Sequence, residues 1–395
     1  MPTMSPQRLT VAWFSFFPVE WLDNVPETVA RLPRLHPATW QQVLLKELEK
    51  DARLNLHVIV LRKQFEHDLS FERNGVTFHL IKTMGRFRAP SFFWLDTFLI
   101  RRALRQINPD VAHAWGTEGG AALVASRLAY PYVVTMQGIL TWYREQVPLK
   151  SYEKLAALLE RISLRRARIV TTESRFAVEY LRRRYPHLTI QQVEHASNWV
   201  FHQVKRQPQT ARIRFITGSL EYRKGSDLLF RALNGLAPEL DFELVVVGKR
   251  NPAVLASLGV VPSPELERRL HFKSNLLPAQ VADELATATI MILPTRADTS
   301  PNSVKEAVVA GVPVVGSNVG GIPDYVFPGR NGFLFPSGDS NALVETIRAA
   351  CAHPLFKCGQ VEAEALREVR DYLSPELMAR KFLAAYDLAC GRWRE

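Results

Sequence analysis

The stretch Ala288–Asp324, ATIMILPTRADTSPNSVKEAVVAGVPVVGSNVGGIPD, decides how this sequence folds. An apolar run of strand length leads into a polar loop, Arg296–Pro301, and a helical pattern begins near Asn302. A second apolar run, Val312–Val315, follows, and its Pro313 predicts a strand that is short or irregular at its start. This order of strand, helix and strand predicts a parallel sheet covered by helices.

The same alternation extends over most of the chain and predicts an α/β protein whose parallel sheets are covered on both faces. Thr39 and Gln42 predict a capping box at the first long helix. The predicted strands are Val11–Phe16, Leu54–Leu61, Val76–Ile81, Val111–Ala114, Tyr132–Met136, Ile169–Thr172, Ile213–Thr217, Phe242–Val247, Leu270–Lys273, Thr289–Leu293 and Val312–Val315. The predicted helices are Trp40–Glu49, Ala121–Leu128, Tyr152–Ala167, Gly225–Leu236, Pro278–Leu285, Asn302–Ala310, Ala342–Cys351 and Pro375–Cys390.

A polar segment without periodicity, Ala196–Thr210, interrupts the alternation and predicts a linker near residue 203. We therefore expect two doubly wound domains, residues 1–203 and 204–374. Ligands of such sheets bind at the carboxyl ends of the strands, which predicts a cleft between the domains as the binding site. The proline-rich segment Phe17–His36 predicts a long loop that serves as a binding element.

The composition is that of a soluble globular protein. The chain has 395 residues, of which 47% are hydrophobic and 23% charged, and it contains no apolar run long enough to cross a bilayer. Val11–Phe17 resembles the apolar core of a signal peptide, but Pro18 and Glu20 follow it instead of a cleavage site, so we interpret it as a strand. Three cysteines without metal-ligand spacing indicate a reducing compartment, and we expect a cytoplasmic protein.

The net charge of +11 is concentrated in two basic clusters. The first basic cluster, Arg86–Arg105, holds five arginines against Asp96 and surrounds the aromatic trio Phe92, Phe93 and Trp94. The second, Arg161–Arg184, holds eight arginines against two glutamates. Such clusters attract phosphorylated substrates or anionic lipids, and with the trio they predict peripheral membrane association. The alternatives are solvated helix faces and an aromatic trio that lies in the core.

Two carboxylates mark the polar loop and the helix after it. Asp298 lies in the loop and Glu306 eight residues later, in the helix. Carboxylates at such positions can accept hydrogen bonds from vicinal sugar hydroxyls, although Glu306 could also be a surface acid of the helix. The helix start would offer backbone N–H groups to a diphosphate. The residues that we expect to contribute there are Ser300, Asn302, Ser303 and Val304.

A second candidate phosphate site is Gly218–Asp227, GSLEYRKGSD, which follows a predicted strand directly. Gly218 permits a tight turn, and Arg223 and Lys224 place two cations just before Gly225 and a new helix. Cations at the carboxyl end of a strand, beside a helix N-terminus, suit a phosphate leaving group. Taken alone the signal is weak, because exposed Arg-Lys pairs are common.

Together these stretches resemble glycosyltransferase family 4, whose members have the GT-B fold of two Rossmann-like domains. The resemblance is strongest over residues 218–347, including the tail NGFLFPSGDSNALVETI from Asn331, and extends more faintly to Pro109–Leu140. It implies a retaining glycosyltransferase that uses a nucleotide-sugar donor. It also implies that a final helix, within residues 375–395, crosses back to the N-terminal, acceptor-binding domain, and that residues 204–374 bind the donor.

The resemblance assigns roles to three residues of the second domain. Asp298 and Glu306 match the family's paired acids, with Asp in place of the first Glu. Glu306 would then hold the nucleotide ribose, and Asp298 the hydroxyls of the donor sugar. Lys224 matches the phosphate-binding lysine. The family's arginine five residues earlier is Ser219 here, so that charge is either missing or supplied by Arg223.

In the first domain, Gln137 occupies the position of the family's usual histidine. Glutamine can bind a hydroxyl by a hydrogen bond, but it cannot titrate and so cannot act as a general base. A small loop would face the reacting sugar from this domain; it consists of Gly116, Thr117, Glu118 and Gly119. The family's glycine pair after the first strand is absent, which leaves the acceptor side unmatched.

The expected activity is transfer of a sugar from a nucleotide sugar to a hydroxyl of a glycan or lipid-linked acceptor, in the synthesis of cell-surface polysaccharide or glycolipid. We expect the protein in the cytoplasm, at the cytoplasmic face of the membrane. Two alternatives remain open: a GT-B relative that is not a transferase, such as a sugar-nucleotide epimerase or a phosphorylase, and a non-catalytic protein that binds a nucleotide sugar. Nucleic acid is not an expected partner, because no recognition module is visible.

The sequence predicts no cofactor and no metal. The donor, UDP- or GDP-sugar, is a substrate, and the D-x-D triplet typical of a metal-bound diphosphate does not occur. Activity should therefore survive EDTA, with Lys224, Arg223 and the helix start neutralising the leaving group. Because Gln137 replaces a histidine, the rate is expected to be nearly flat from about pH 6.5 to about 8.5.

Overall fold

The computed structural model describes residues 8–85, 88–209 and 211–391, so Arg86 of the first basic cluster lies outside the described residues. The chain forms two compact units. Unit 1 comprises the described residues up to Glu173, Ala177–Glu194 and the described residues from Pro375 on; unit 2 comprises Ser174–Phe176 and His195–Ser374. The division thus falls after Glu194, and residues 195–203, predicted in the first domain, belong to unit 2.

Unit 1 contains an eight-stranded sheet in the order β3-β4-β2-β1-β5-β6-β7-β8. All neighbouring strands are parallel except β3 and β4. The central strand β5 is buried at every position, as expected for a strand covered on both faces. The strands are β1 (Leu9–Ser15), β2 (Leu54–Arg62), β3 (Leu69–Arg73), β4 (Val76–Lys82), β5 (Val111–Trp115), β6 (Tyr132–Thr135), β7 (Ile169–Thr172) and β8 (Thr189–Gln192).

The helices of unit 1 cover this sheet, and the last of them comes from the end of the chain. The helices are α1 (Glu27–Ala30), α2 (Thr39–Leu48), α3 (Trp94–Ile107), α4 (Ala121–Ala125), α5 (Leu140–Gln146), α6 (Ser151–Leu164), α7 (Arg175–Arg184) and α16 (Pro375–Ala389). The first two residues of helix α7, Arg175 and Phe176, are assigned to unit 2. Helix α16 packs against α2, β6 and β7. The sequence placed this final helix correctly to within one residue.

Unit 2 contains a six-stranded, wholly parallel sheet in the order β11-β10-β9-β12-β13-β14. Its strands are β9 (Ile213–Thr217), β10 (Phe242–Val247), β11 (Leu270–Lys273), β12 (Ile290–Leu293), β13 (Val314–Ser317) and β14 (Gly332–Phe335). Its helices are α8 (Trp199–His202), α9 (Ser226–Leu236), α10 (Pro252–Ser257), α11 (Pro264–Arg268), α12 (Pro278–Thr287), α13 (Asn302–Ala310), α14 (Ser340–Ala352) and α15 (Ala363–Tyr372). Two buried clusters, one on each side of the sheet, hold these layers together.

The predicted α/β class with two parallel sheets is confirmed, and three details are wrong. Strands β3, β8 and β14 were not predicted. The predicted loop Phe17–His36 contains a short 3-10 helix, Val19–Trp21, and α1. The predicted capping box is absent: Ala38 caps α2 in a left-handed conformation, and Gln42 donates to the carbonyl of Pro37 instead. Across the described ranges, no helix has the length and apolar character needed to cross a membrane.

Candidate active site

Two loops at the carboxyl end of the unit 2 sheet are joined by backbone contacts. The turn between β9 and α9 approaches the loop between β12 and α13, and the amide of Arg296 donates to the carbonyl of Arg223 at 2.8 Å. Gly225 has a φ of +72°, and a side chain there would overlap the carbonyl group of Pro294. Only glycine allows this approach at low cost. Arg223 and Lys224 are thereby fixed over the β12–α13 loop.

Asp298 and Lys224 form the central ion pair of the site. The Lys224 ammonium contacts Oδ2 of Asp298, and the Arg223 guanidinium lies 3.4 Å from the same oxygen. The amide of Ser300 donates to Oδ1 at 3.1 Å. Burial alone would raise the pKa of Asp298, but the two cations and the Ser300 N–H outweigh it and hold this pKa below its ordinary value. The Asp298 carboxylate is therefore ionised and holds Lys224 in place.

A second ion pair, which the sequence did not reveal, supports the same loops. Arg296 makes two hydrogen bonds to the buried carboxylate of Asp227, at 2.6 and 2.8 Å. Its guanidinium also lies 4.1 Å from the centre of the Tyr222 ring. Asp227 stands in the first turn of α9, so this pair ties α9 to the β12–α13 loop. The two residues are 69 positions apart in the chain, so no sequence motif could have predicted the contact.

The start of α13 offers hydrogen-bond donors, as predicted, with one exception. The amides of Asn302 and Ser303 have no acceptor among the described residues, whereas the amide of Val304 donates to the carbonyl of Pro301 at 3.1 Å. The buried hydroxyl of Ser300 has no partner in the described structure. A side chain on Gly218 would lie 3.6 Å from the Ser303 hydroxyl, so the β9 turn and this helix start are close. These donors suit an anion.

Glu306 is half-buried in α13, and its carboxylate makes no hydrogen bond or ion pair with the described part of the chain. Burial raises the pKa of Glu306 to about 7, although the neighbouring Lys305 lowers it. Burial of a carboxyl group without partners is costly, and hydroxyl groups of a ligand can offset this cost by donating hydrogen bonds to it. Glu306 thus differs from the exposed surface acids of this protein that form ion pairs.

Ser219 leaves the site with one cation fewer than the family pattern. Its side chain is exposed on the turn after β9, and a side chain on Gly248 would lie 3.0 Å from its Cα. The Arg223 guanidinium is nearby in the chain but is shared between the carbonyl of Ala297, at 2.8 Å, and Asp298. Arg223 and Lys224 are therefore the two side-chain cations that this turn brings to Asp298.

In unit 1, the predicted small loop follows β5. Gly116 has a φ of +77°, and a side chain there would contact Oε2 of Glu118 and lie 3.0 Å from Oε1 of Gln137. The structure thus brings Glu118 and Gln137 together over Gly116. Gly119 is exposed at the tip of the loop. The Thr117 hydroxyl, by contrast, is buried and donates to Glu160 at 2.9 Å, which gives Thr117 a structural role.

Glu118 is the titrating group that the sequence did not predict. Burial, with a smaller contribution from the negative charges of Glu160 and Glu173, raises its pKa to about 7 against the lowering effect of two backbone N–H groups. Gln137, half-buried after β6, makes no hydrogen bond with the described residues. The side-chain amide of Gln137 and the carboxyl group of Glu118 can together bind a hydroxyl group by hydrogen bonds.

Two family models match this chain in succession. Residues 42–200 match the model described as "Glycosyltransferase Family 4", and residues 211–353 match the model described as "Glycosyl transferases group 1". The chain belongs to glycosyltransferase family 4. The predicted resemblance is confirmed, and the two models fall on the two sheets.

Curated relatives of this family 4 chain match it over less than half of their own length. A D-inositol 3-phosphate glycosyltransferase of Streptomyces avermitilis is 29% identical over 40% of this chain and 36% of its own. An N-acetyl-alpha-D-glucosaminyl L-malate synthase of Bacillus anthracis is 26% identical over 40% of this chain and 39% of its own.

Solved structures confirm the GT-B fold of this family 4 chain. The sucrose-phosphate synthase of Thermosynechococcus elongatus superposes with a TM-score of 0.77 at 15% identity, over 98% of this chain and 100% of its own. The Anabaena protein HepE, solved in complex with UDP-glucose, gives a TM-score of 0.67 at 14% identity, over 95% of this chain and 98% of its own. Among the described residues of the family 4 chain, no three His, Cys, Asp or Glu side chains form a group that could hold a metal ion.

Proposed function

We propose that this chain is a retaining glycosyltransferase that moves a hexose from a UDP- or GDP-sugar to a hydroxyl of a glycan or lipid-linked acceptor. The observation that carries the proposal is the half-buried Glu306 carboxylate, which has no partner among the described residues and lies on the helix whose first amides are also unused there. A nucleoside diphosphate would satisfy both, with ribose hydroxyls on Glu306 and phosphate oxygens on the amides of Asn302 and Ser303. Retention is supported by family membership alone.

We assign donor binding to unit 2 and acceptor binding to unit 1. Departure of the nucleoside diphosphate creates negative charge, and Lys224, Arg223 and the start of α13 stabilise it where it develops. Asp298 holds Lys224 by the ion pair described above, so we assign Asp298 first to positioning this cation and only secondarily to the donor sugar. Gln137 and Glu118 bind a hydroxyl of the reacting sugar or of the acceptor.

The leaving-group cations lead to a prediction about metals. Lys224, Arg223 and the first amides of α13 supply the positive charge that a divalent ion would otherwise provide. We therefore expect the rate to be unchanged in EDTA, measured as release of nucleoside diphosphate. A loss of activity that is restored by Mg²⁺ or Mn²⁺ would contradict this account of the leaving group.

The acceptor and its location remain part of the proposal. We place the enzyme in the cytoplasm, peripheral on the membrane, in synthesis of cell-surface polysaccharide or glycolipid. A second candidate is a small anionic acceptor: the relatives named above are a D-inositol 3-phosphate glycosyltransferase and an L-malate synthase, and the basic charge of this chain suits such acceptors.

The first experiment measures donor binding and donor cleavage separately. UDP-, GDP- and ADP-sugars are screened by thermal shift, where a ligand at 100 times its dissociation constant adds about 2.7 kcal/mol of stability. The stabilising donor is then incubated without acceptor, and hydrolysis that releases the sugar with retained configuration, observed by NMR, supports the proposal. Binding without turnover indicates the non-catalytic alternative, and conversion to another nucleotide sugar indicates an epimerase.

Two variants test the site itself. Lys224→Ala removes a charge-assisted contact of roughly 1.5–3 kcal/mol, so donor affinity should fall by about tenfold to a hundredfold. The matched control is Lys357→Ala, an exposed lysine on the short 3-10 helix Phe356–Cys358. If Lys224→Ala and its control bind the donor equally well, Lys224 has no phosphate role.

A further inference from the structure

Helix α3 carries large aromatic side chains on its solvent side. Phe98 is 64% exposed and Trp94 57% exposed, and Phe92, just before the helix, is 52% exposed. Positions 94, 98, 102 and 105 lie on one side of a helix, and Arg102 and Arg105 are exposed as well. We name these five residues the α3 outer face. It has aromatic rings at one end and guanidinium groups at the other.

The rest of α3 is anchored, so the exposure of these rings does not come from a loose helix. Ile100 and Leu104 are buried, and α3 packs against α4, β1 and β2. Phe93, the middle member of the aromatic trio, is buried against Gly120 at the start of α4. The alternative that the trio is core therefore holds for Phe93 alone.

The backbone before α3 enforces this split within the trio. Phe92 and Phe93 both have positive φ values, of +48° and +59°, a conformation that is unfavourable for aromatic residues. The Phe93 amide donates to the carbonyl of Arg88 at 2.8 Å, which closes the turn. As a result of this turn, the side chain of Phe93 is buried, and those of its neighbours Phe92 and Trp94 are exposed to solvent. This backbone conformation costs free energy and leaves the rings of Phe92 and Trp94 exposed, which indicates a function for the two rings.

The segment that carries the α3 outer face is positively charged, although Asp68 lines the same surface pocket as Arg102. Asp96 is the only acidic residue in positions 82–107; it is buried and paired with Arg88 at 2.7 Å. Arg102 and Arg105 make no ion pair within the described ranges. Arg127 lies with its guanidinium 4.3 Å from the centre of the Trp94 ring and donates to the carbonyl of Phe92 at 2.7 Å. The surface thus combines exposed rings with unneutralised cations.

We propose that the α3 outer face docks on an anionic phospholipid bilayer. Aromatic side chains with this arrangement lie at the boundary of headgroups and acyl chains, and arginines beside them bind lipid phosphates. An acidic protein or a nucleic acid would meet the arginines but would leave the rings of Trp94 and Phe98 without an apolar environment. The inference identifies the partner and the element that binds it, and it does not depend on the proposed transferase activity.

The test uses the full chain and vesicles of defined composition. Flotation compares phosphatidylcholine vesicles with vesicles in which about one third of the lipid is phosphatidylglycerol. It is carried out at about 0.1 M and about 1 M salt, over which the Debye length falls from about 10 Å to about 3 Å. We expect binding to the anionic vesicles at low salt and much weaker binding at high salt. Absence of binding to anionic vesicles at low salt overturns the proposal.

Matched variants locate the surface. Trp94→Ser/Phe98→Ser and Arg102→Gln/Arg105→Gln should each reduce vesicle binding at least tenfold. The controls are Trp199→Ser, which removes an exposed tryptophan of α8, and Arg182→Gln/Arg183→Gln, which removes exposed charge from α7 in the second basic cluster. The controls should bind as the parent does. If the α7 variant loses binding and the α3 variants keep it, the proposal is wrong.

A second readout does not depend on the behaviour of multiple substitutions. Lipids brominated near the headgroup quench a tryptophan that enters the bilayer, and the quenched fraction should fall in Trp94→Phe compared with the parent. Equal quenching in the two proteins overturns the assignment of Trp94. Competition of vesicle binding by single-stranded RNA, with no quenching by brominated lipid, would show that the face binds nucleic acid instead and would also overturn the proposal.

Discussion

At the scale of single residues, we expect Glu306 to link donor binding to protons. Burial disfavours its charged form and raises its pKa to about 7. In the proposed complex, ribose hydroxyls donate hydrogen bonds to the ionised carboxylate, so the donor would prefer that form and lower the pKa. Donor affinity should therefore rise with pH between about 6 and about 8 and then level off.

Isothermal titration calorimetry in two buffers of different ionisation enthalpy measures this linkage directly. Below about pH 7 we expect one proton to be released as the donor binds. In Glu306→Gln the release should vanish and affinity should be lower and independent of pH. Glu345→Gln, which changes an exposed acid of α14, serves as the control. Proton release that persists in Glu306→Gln would remove Glu306 from the ribose site.

Glu118 changes the expected pH dependence of turnover. The sequence predicts a flat profile because Gln137 replaces a histidine, but the structure adds a second titrating group, since burial raises the pKa of Glu118 to about 7. The groups that face it are Glu160 from α6, Glu173 after β7 and the hydroxyl-bearing ring of Tyr152, which donates to the carbonyl of Glu118 at 2.9 Å. None of them is a cation that would restore an ordinary pKa.

The ionised form of Glu118 accepts a hydrogen bond from a hydroxyl more strongly than the neutral form does, so we expect kcat to rise with pH through about 7. Measured at saturating donor, this dependence should disappear in Glu118→Gln, while the KM for the donor stays within about twofold. Glu179→Gln, on the exposed side of α7, is the control. A parent profile that is flat, or one that Glu118→Gln leaves unchanged, contradicts this role.

Some of these residues could be proposed from the sequence and others could not, and the difference has a physical reason. Lys224 and Glu306 could be proposed from the sequence because their proposed roles depend on short spacing within one turn or helix. The contact of Lys224 with Asp298 joins residues 74 positions apart, and the raised pKa of Glu118 depends first on its own burial and then on the charge of Glu160. Such couplings arise from tertiary packing, which spacing along the chain does not encode.

At the scale of elements, the β9–α9 turn depends on Gly225. Its φ is +72°, and any side chain would overlap the carbonyl group of Pro294. Gly225→Ala should therefore displace Lys224 from Asp298, reduce donor affinity at least tenfold and lower stability by more than the roughly 1–2 kcal/mol expected for the left-handed conformation alone.

Gly329→Ala is the control that separates the steric overlap with Pro294 from the cost of the left-handed backbone conformation. Gly329 has a nearly identical φ of +77°, but no atom of the described residues beyond its chain neighbours lies within 4 Å of the position that a Cβ would take, so the substitution meets strain alone. Chemical denaturation and donor titration are measured for both variants. If Gly329→Ala reduces donor affinity as strongly as Gly225→Ala does, the contact with Pro294 is not what positions Lys224.

Elements with strong periodicity were predicted well, and polar edge strands were not. The strands β7, β9 and β10 match their predicted bounds, because they lie inside their sheets and are specified by their own apolar residues. In contrast, β3 (LSFER) and β8 (TIQQ) form the two edges of the unit 1 sheet and are largely polar. An edge strand is specified by the backbone of its neighbour more than by its own side chains.

At the scale of the whole molecule, α16 completes unit 1 by a buried hydrogen-bond network. The hydroxyl of Tyr386 accepts from the Trp13 indole at 2.8 Å and lies 2.8 Å from Nδ1 of His113, whose Nε2 is 2.6 Å from the Thr135 hydroxyl. The network connects α16 with β1, β5 and β6. It also places His113 in the core and gives it a structural role.

Tyr386→Phe should destabilise the protein without altering donor binding. The substitution leaves the buried indole N–H of Trp13 without its acceptor, which costs about 1–3 kcal/mol. Urea unfolding of the full chain measures the loss, and Tyr222→Phe, at an exposed tyrosine whose hydroxyl makes no hydrogen bond with the described residues, should change stability by less than about 0.5 kcal/mol. Unchanged stability in Tyr386→Phe would show that the network is not a source of stability.

The division of the chain between the units also sets the order in which the protein can be completed during synthesis. Residues 195–374 leave the ribosome as an unbroken stretch, so unit 2 can finish folding while the last helix of unit 1 is still being made. Until Tyr386 emerges, Trp13 in the first strand lacks its hydrogen-bond acceptor. A nascent or prematurely terminated chain would thus contain a folded unit 2 and a unit 1 that lacks α16. The surface of α2, β6 and β7 that α16 covers would be exposed, and cellular quality control could recognise it.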